Sequence, residues 1–320
     1  MTGGLVDDMY DTALITLMNG GTVNTLRGGE IASITNGSIG LLKDTGKITS
    51  MSGGDLTLMS GGEITKITGG TVASVTGGLI REMDQNGIIT SISGGQITDM
   101  RDGSIRTLTG TASITNMHEG DITNMLNGSI NSMLGGLIAS MTGGDISTMS
   151  GGTITDLNGG NINLASGGAI TEMNSGNITT LDGTTIDEMN GGKITNMTNG
   201  LITSMTNGEI TAVNGGTIHE MTGGLIGSLN EGGLLEIFDG GVIDNFVKGT
   251  IGQWISGTIN NMRDWTLLLV QDGNLIKNMY DGRIVSMIGG EVTNMSGGEI
   301  ESMTGGLVDD MYDTALITLM

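Results

Sequence analysis

SITNMHEGDITNMLNGSINSMLGGLIASMTGGDISTM, residues 113–149, decides the fold. An isoleucine stands at 114, 122, 130, 138 and 146, and a methionine follows three places after each, at 117, 125, 133, 141 and 149. The eight-residue spacing of isoleucine holds without exception from Ile114 to Ile226. Where the methionine place is not Met it is still apolar, as at Leu157, Ala165, Leu181, Val213 and Leu229. The unit is Gly-Gly-x-Ile-Thr-x-Met-x. Two residues before each isoleucine from Ile122 to Ile226 comes a glycine, with Thr184 the one departure. That place needs a corner with positive φ, or a backbone approach too close for a Cβ.

Working outward, the register continues with Ile, Val or Leu from Val6 to Ile105 and from Leu235 to Ile317. Six steps between Val6 and Val308 are nine residues long: Val6 to Ile15, Ile39 to Ile48, Ile80 to Ile89, Ile105 to Ile114, Ile226 to Leu235 and Leu267 to Ile276. An extra residue of this kind is expected at a corner, as a bulge that leaves the strands in register. A longer repeat lies above the octad. Residues 1–18, MTGGLVDDMYDTALITLM, recur unchanged as residues 303–320, thirty-seven octad steps later. This identity predicts that the chain is a window on a longer polypeptide with a 302-residue superrepeat, the alternative being a duplicated end of a 320-residue protein.

Composition narrows the classes. Sixty glycines, no proline, no cysteine and only two Phe, two Trp and three Tyr leave little bulk for one large core, while Ile, Met, Leu and Val stay plentiful. Collagen needs glycine at every third residue plus proline, and disordered linkers lack recurring Ile and Met. Twelve scattered Lys and Arg in a chain of net charge −22 argue against nucleic acid. The longest purely apolar stretch, Leu267 to Val270, is far short of a membrane span, so no membrane insertion is expected.

Paired glycines every eight residues exclude helix, whereas Ile, Thr and Val favour extended backbone. Each octad therefore reads as one short strand and one turn, and the whole of 1–320 as a continuous all-β solenoid shaft of about 37 octads. In a flat strand, residues three apart face opposite sides. Ile and Met both reach the core only if the backbone bends near the Thr-x pair. Methionine's flexible thioether suits a core whose layers are not identical.

This pattern resembles the octapeptide-repeat β-helix fibre proteins: the intertwined triple-stranded β-helices of phage tail needles and type VI secretion spikes, and more loosely the octad coils of bacterial ice-nucleation proteins. The needles usually place Val beside glycine and the ice-nucleation repeats carry Thr-x-Thr, neither of which matches Gly-x-Ile-Thr-x-Met. The number 37 is divisible by neither two nor three. A single-chain coil of two or three octads would return each superrepeat rotated, whereas a three-fold intertwined homotrimer maps onto itself. With three octads per 4.8 Å layer, one superrepeat would measure about 60 Å as a single chain and about 180 Å as a trimer.

No catalytic constellation is visible: there is no cysteine, no Ser-His-Asp spacing and no phosphate loop, and His118 and His219 lack motif partners. No enzyme activity, cofactor or metal is expected. The carboxylates recur as members of the repeat and read as a solvated face. One section, 235–280, stands apart, because it holds all the Phe and Trp residues. Phe238, Phe246 and Trp254 fall in the methionine place, which predicts a locally wider core. Trp265 falls off that register and is the candidate for a lateral contact between fibres. The expected function is a structural fibre shaft of an extracellular, cell-surface or virion-borne filament that self-associates. The alternative is a surface-binding module that uses outward Thr and Asn rows to bind glycan or another surface.

Overall fold

A computed structural model describes residues 1–320, in strands joined by turns, bends and short irregular corners, with no helix. The chain forms two compact units, Met1–Gly168 and Ala169–Met320. Each is a parallel β-solenoid. In the first, Asp121–Met125 pairs with Leu137–Met141, and Ser129–Met133 with Asp145–Met149, so that Ile122 stands under Ile138 and Met133 under Met149. An octad thus pairs with the octads two before and two after it in the same chain. The second unit repeats the rule, with Ile194 paired to Ile210 and Ile202 to Ile218. Where a nine-residue step intervenes the offset is one larger, as in Ile105 with Ile122 and Ile226 with Ile243. The coil therefore holds two octads, not the three assumed for the layer lengths above. In a two-octad coil each octad turns the chain through half a revolution, against a third in a three-octad one.

Both bends within an octad are visible. Ladder pairs form at Asp121, Ile122, Asn124 and Met125, skipping Thr123, so the strand kinks at the threonine. The kink brings Ile122 and Met125 into the same core, where neither is exposed. Some octads are separate five-residue strands, whereas in Lys47–Met83 the extended chain runs on through several corners. The core of each unit is a thin column of Ile and Met places, with Thr and the variable residues outside.

The second bend is the glycine corner, and it explains the methionines. Gly144 has φ +89°, and a Cβ there would stand 2.6 Å from the Gly128 carbonyl oxygen and 2.8 Å from Met125 Cε. The terminal methyl of most core methionines fills the notch left by the missing side chain in the coil above. The same fit recurs between Met133 and Gly152, Met141 and Gly160, and Met205 and Gly224. Methionine reaches the notch with its end methyl, and where another apolar residue holds its place a branch can do the same, as Ile67 Cγ2 does at Gly87 (2.7 Å) and Val213 Cγ1 at Gly233 (2.8 Å).

The nine-residue steps each end in a tight turn closed by one backbone hydrogen bond. The amides of Ala13, Gly46, Gly87 and Ala112 donate to the carbonyls of Tyr10, Lys43, Asp84 and Thr109 at 3.0 to 3.3 Å in the first unit. In the second unit Gly233 donates to Asn230 at 3.0 Å and Asn274 to Gln271 at 3.1 Å. Such a turn satisfies its own amide, so the extra residue leaves the ladders on either side undisturbed.

The two-octad coil also decides which outer side chains meet. Lys47 stands between Glu30 and Glu63, Lys193 beside Glu209 and Arg283 beside Glu299, so several acids sit next to a base along the stack. In the second unit Asn245, Asn261, Asn278 and Asn294 form a ladder in which each amide nitrogen donates to the amide oxygen below, at 3.5, 3.1 and 3.2 Å. Amide ladders of this kind reinforce stacked strands.

A pair of substitutions tests the corner. Gly273 also has positive φ, +88°, but a Cβ there meets nothing closer than 3.5 Å. Gly273→Ala should cost only the left-handed penalty, about 1–2 kcal/mol. Gly144→Ala adds a collision with a backbone carbonyl and should cost clearly more. Local amide exchange around each corner is the appropriate measurement, because long repeat arrays do not unfold as one two-state unit.

Candidate functional site

The section 235–280 departs from the octad in its side chains first. Phe238 and Phe246 are fully buried in the methionine place and Trp254 nearly so, which is the widened core expected there. Phe238 and Trp254 stack with ring centroids 5.8 Å apart and planes 18° apart. A Cβ on Gly257 would stand 2.6 Å from the Phe238 ring, so this ring fills the corner notch as a methionine methyl does elsewhere.

Trp265 occupies the corner glycine place itself, two residues before Leu267. One coil below, the equivalent residue is Gly249, where a Cβ would stand only 2.4 Å from Leu229 Cγ. Trp265 brings a whole indole to that position. It lies half-buried and edge-on to Phe246, with ring centroids 6.5 Å apart and planes 86° apart. The exposed apolar surface beside it comes from Leu268, Leu269 and Ile255 instead, Leu268 being 75% exposed.

The ladder is interrupted at the same place. Leu234–Phe238 pairs with Thr250–Trp254, and Thr266–Val270 pairs with Arg283–Met287. Between Thr250–Trp254 and Thr266–Val270 no ladder forms, although on the opposite side of the same coil Thr258–Met262 pairs normally with Leu275–Met279. One side of the coil is parted while the other stays closed. Side chains take over the hydrogen bonds at the end of the parted stretch. The Gln271 amide N–H donates to Asn274 Oδ1 at 2.8 Å, Gln271 Nε2 donates to the Trp254 carbonyl at 3.1 Å, and the buried Asn274 donates from Nδ2 to the Ile255 carbonyl at 3.2 Å. Elsewhere in the unit the equivalent bond is made by a backbone amide, as from Tyr280 to Met262. A cavity of about 300 Å³ opens between the parted strands, lined by Ile251, Gln253, Trp254, Trp265, Leu267 and Gln271 among others. Ile251, a core place fully buried in most coils, is half-exposed here.

The other candidates are paired surface groups. His118 faces Asp99 at 3.6 Å, and His219 contacts Glu236. The Arg81 guanidinium donates from Nε and Nη2 to the Glu63 carboxylate at 2.8 and 2.9 Å and holds that carboxyl below the ordinary glutamate range. Hydrogen bonds from Lys66 to Glu82 and Asp84 hold its ammonium above the ordinary lysine range. Lys193 likewise lowers Glu209.

These features define the chain's class as a β-solenoid of tandem two-octad coils with one interrupted ladder in its aromatic section. No family model, no curated protein and no solved structure matches it.

The Glu63 pair makes a pH prediction. Its folded pKa lies below the unfolded value, so its contribution is present above the unfolded pKa and is lost as pH falls through the folded one. The effect is small, because the Arg81 side chain is 55% exposed. Glu63→Gln should slightly lower the local amide protection around residues 63 and 81 near neutrality, and the gap to the wild type should close as the pH falls below the ordinary glutamate range through the lowered folded pKa. For Lys66 the sign is opposite: its contribution is present below the unfolded pKa and fades as pH rises through the raised folded one.

Proposed function

We propose that the chain is a section of a structural filament shaft, extracellular or virion-borne, that supplies length and stiffness. The observation that carries this reading is the two-octad ladder that repeats through each unit with a single interruption, in which most coils present the same core places to the next. Such an array adds coils without changing their chemistry, which suits a spacer of arbitrary length. The identity of residues 1–18 with 303–320 supports a longer tandem chain of the same kind. The charge of −22 keeps such filaments apart in solution. Phage tail fibres and bacterial surface filaments are the settings this reading names.

The alternative, a binding surface of outward Thr and Asn rows, draws less support. The Asn245 to Asn294 row spends its amides on itself and is partly buried, and outward residues elsewhere vary from coil to coil.

Mass per length of the native filament tests the proposal. A single-chain shaft of two-octad coils carries 16 residues per coil rise of about 4.8 Å, whereas an intertwined three-stranded shaft with three octads per layer carries about 24. Scanning transmission electron microscopy separates these by half again in mass. Values near the lower figure, with a meridional reflection near 4.8 Å, are expected. A chain that stays a short monomeric particle under all native conditions defeats the shaft reading.

A further inference from the structure

The parted strands present two parallel β edges facing each other across an apolar floor. We propose that this slot is a binding site for an extended peptide segment of a partner protein, one that carries two aliphatic residues three places apart. The inserted segment would run between Thr250–Trp254 and Thr266–Val270 and complete the ladder on that side.

Three observations carry the proposal. First, both edges keep the octad geometry on their far sides, since Thr250–Trp254 is paired below and Thr266–Val270 above, so their strands keep the octad's kinked course and stay in register. An inserted strand finds backbone donors and acceptors on both sides, which is how strand insertion into a sheet gains affinity. Second, the side chains at the edges are core places. Ile251 and Trp254 belong to one strand and Leu267 and Val270 to the other, and the cavity lies against Ile251, Trp254 and Leu267. Their spacing fits a segment whose apolar side chains sit at the first and fourth places, with polar residues between. A compact small molecule could cover the floor but would leave both rows of backbone groups unpaired. Third, the slot has a structural cause in Trp265, the indole at a corner that is glycine one coil below, and side-chain amides of Gln271 and Asn274 cap its end. The capping supplies hydrogen bonds at the closed end while leaving the length of the strands free.

The test uses the full chain, whose two tryptophans both line the slot and act as reporters. The probe is a synthetic peptide with the chain's own octad sequence, GGDISTMS, residues 143–150. Saturable binding with a blue shift of tryptophan emission is expected. Replacing its Ile and Met by Ser should weaken binding about a hundredfold or more, as the loss of two buried aliphatic side chains requires. Trp265→Gly should let the strands close, abolishing binding while the β-sheet circular dichroism is kept. Amide exchange gives an independent reading. The amides of 266–270 should exchange faster than those of 283–287 in the free chain and become protected when the peptide binds. Equal binding of the Ser peptide, saturation by a small apolar alcohol but not by the peptide, or protection of 266–270 already in the free wild-type chain would each overturn the proposal. Should Trp265→Gly fail to fold, the peptide comparison and the exchange data decide it alone.

Discussion

The contact between a methionine methyl and the glycine corner of the coil above is the constraint on which each solenoid depends. Strands stacked at ladder spacing leave no room for a Cβ at that corner, since Gly144 would place one 2.6 Å from a carbonyl oxygen. Removing the side chain opens a notch, and a notch in a column this thin would be a void at every coil. Methionine closes it from below. The corner glycine and the apolar residue in the methionine place are thus two halves of one packing device, which methionine serves most often and Ile67, Val213 and Phe238 serve in its stead. Isoleucine supplies the stiff, β-branched half of the core that holds the strand extended.

Much of this is legible in the sequence, and what is not legible has a definite cause. The spacing of Ile114 and Met117 already requires a bend at the intervening threonine, and the structure has it there. The strict glycine announces a corner, and the nine-residue steps announce turns, which are closed by hydrogen bonds such as Gly46 to Lys43. What the octad leaves open is how far each bend turns the chain. Glycine pairs tolerate a wide range of φ and ψ, so a half turn and a third of a turn per octad have the same composition. Two octads per coil becomes visible only from which residues stack, and with it the placing of Lys47 between Glu30 and Glu63 makes sense.

Trp265 shows the same limit at one residue. Its position off the methionine register and its bulk are plain in the sequence, and they mark the section as unusual. That the indole would turn inward against Phe246 and open a single ladder depends on its falling in the corner place above a phenylalanine, where the coil below has glycine. The side chain of Thr184, also at a corner, has no such effect. There the corner shifts register between Leu181 and Thr185 around Gly183 with φ +116°, and the paired strands continue on both sides. A small buried side chain at a corner leaves the ladders whole, whereas the far larger indole of Trp265 coincides with the parted strands.

Because each coil is bonded only to the coils next to it, tension would be borne one coil at a time. A force that pulls a terminus away peels a single coil, releasing about 16 residues, or roughly 50 Å of slack, before the next ladder takes the load. Between such events the remaining coils keep their native packing. A chain of this construction dissipates a pull as a staircase of small, equal yields, and the parted strands beside Trp265 are where the staircase has its lowest step.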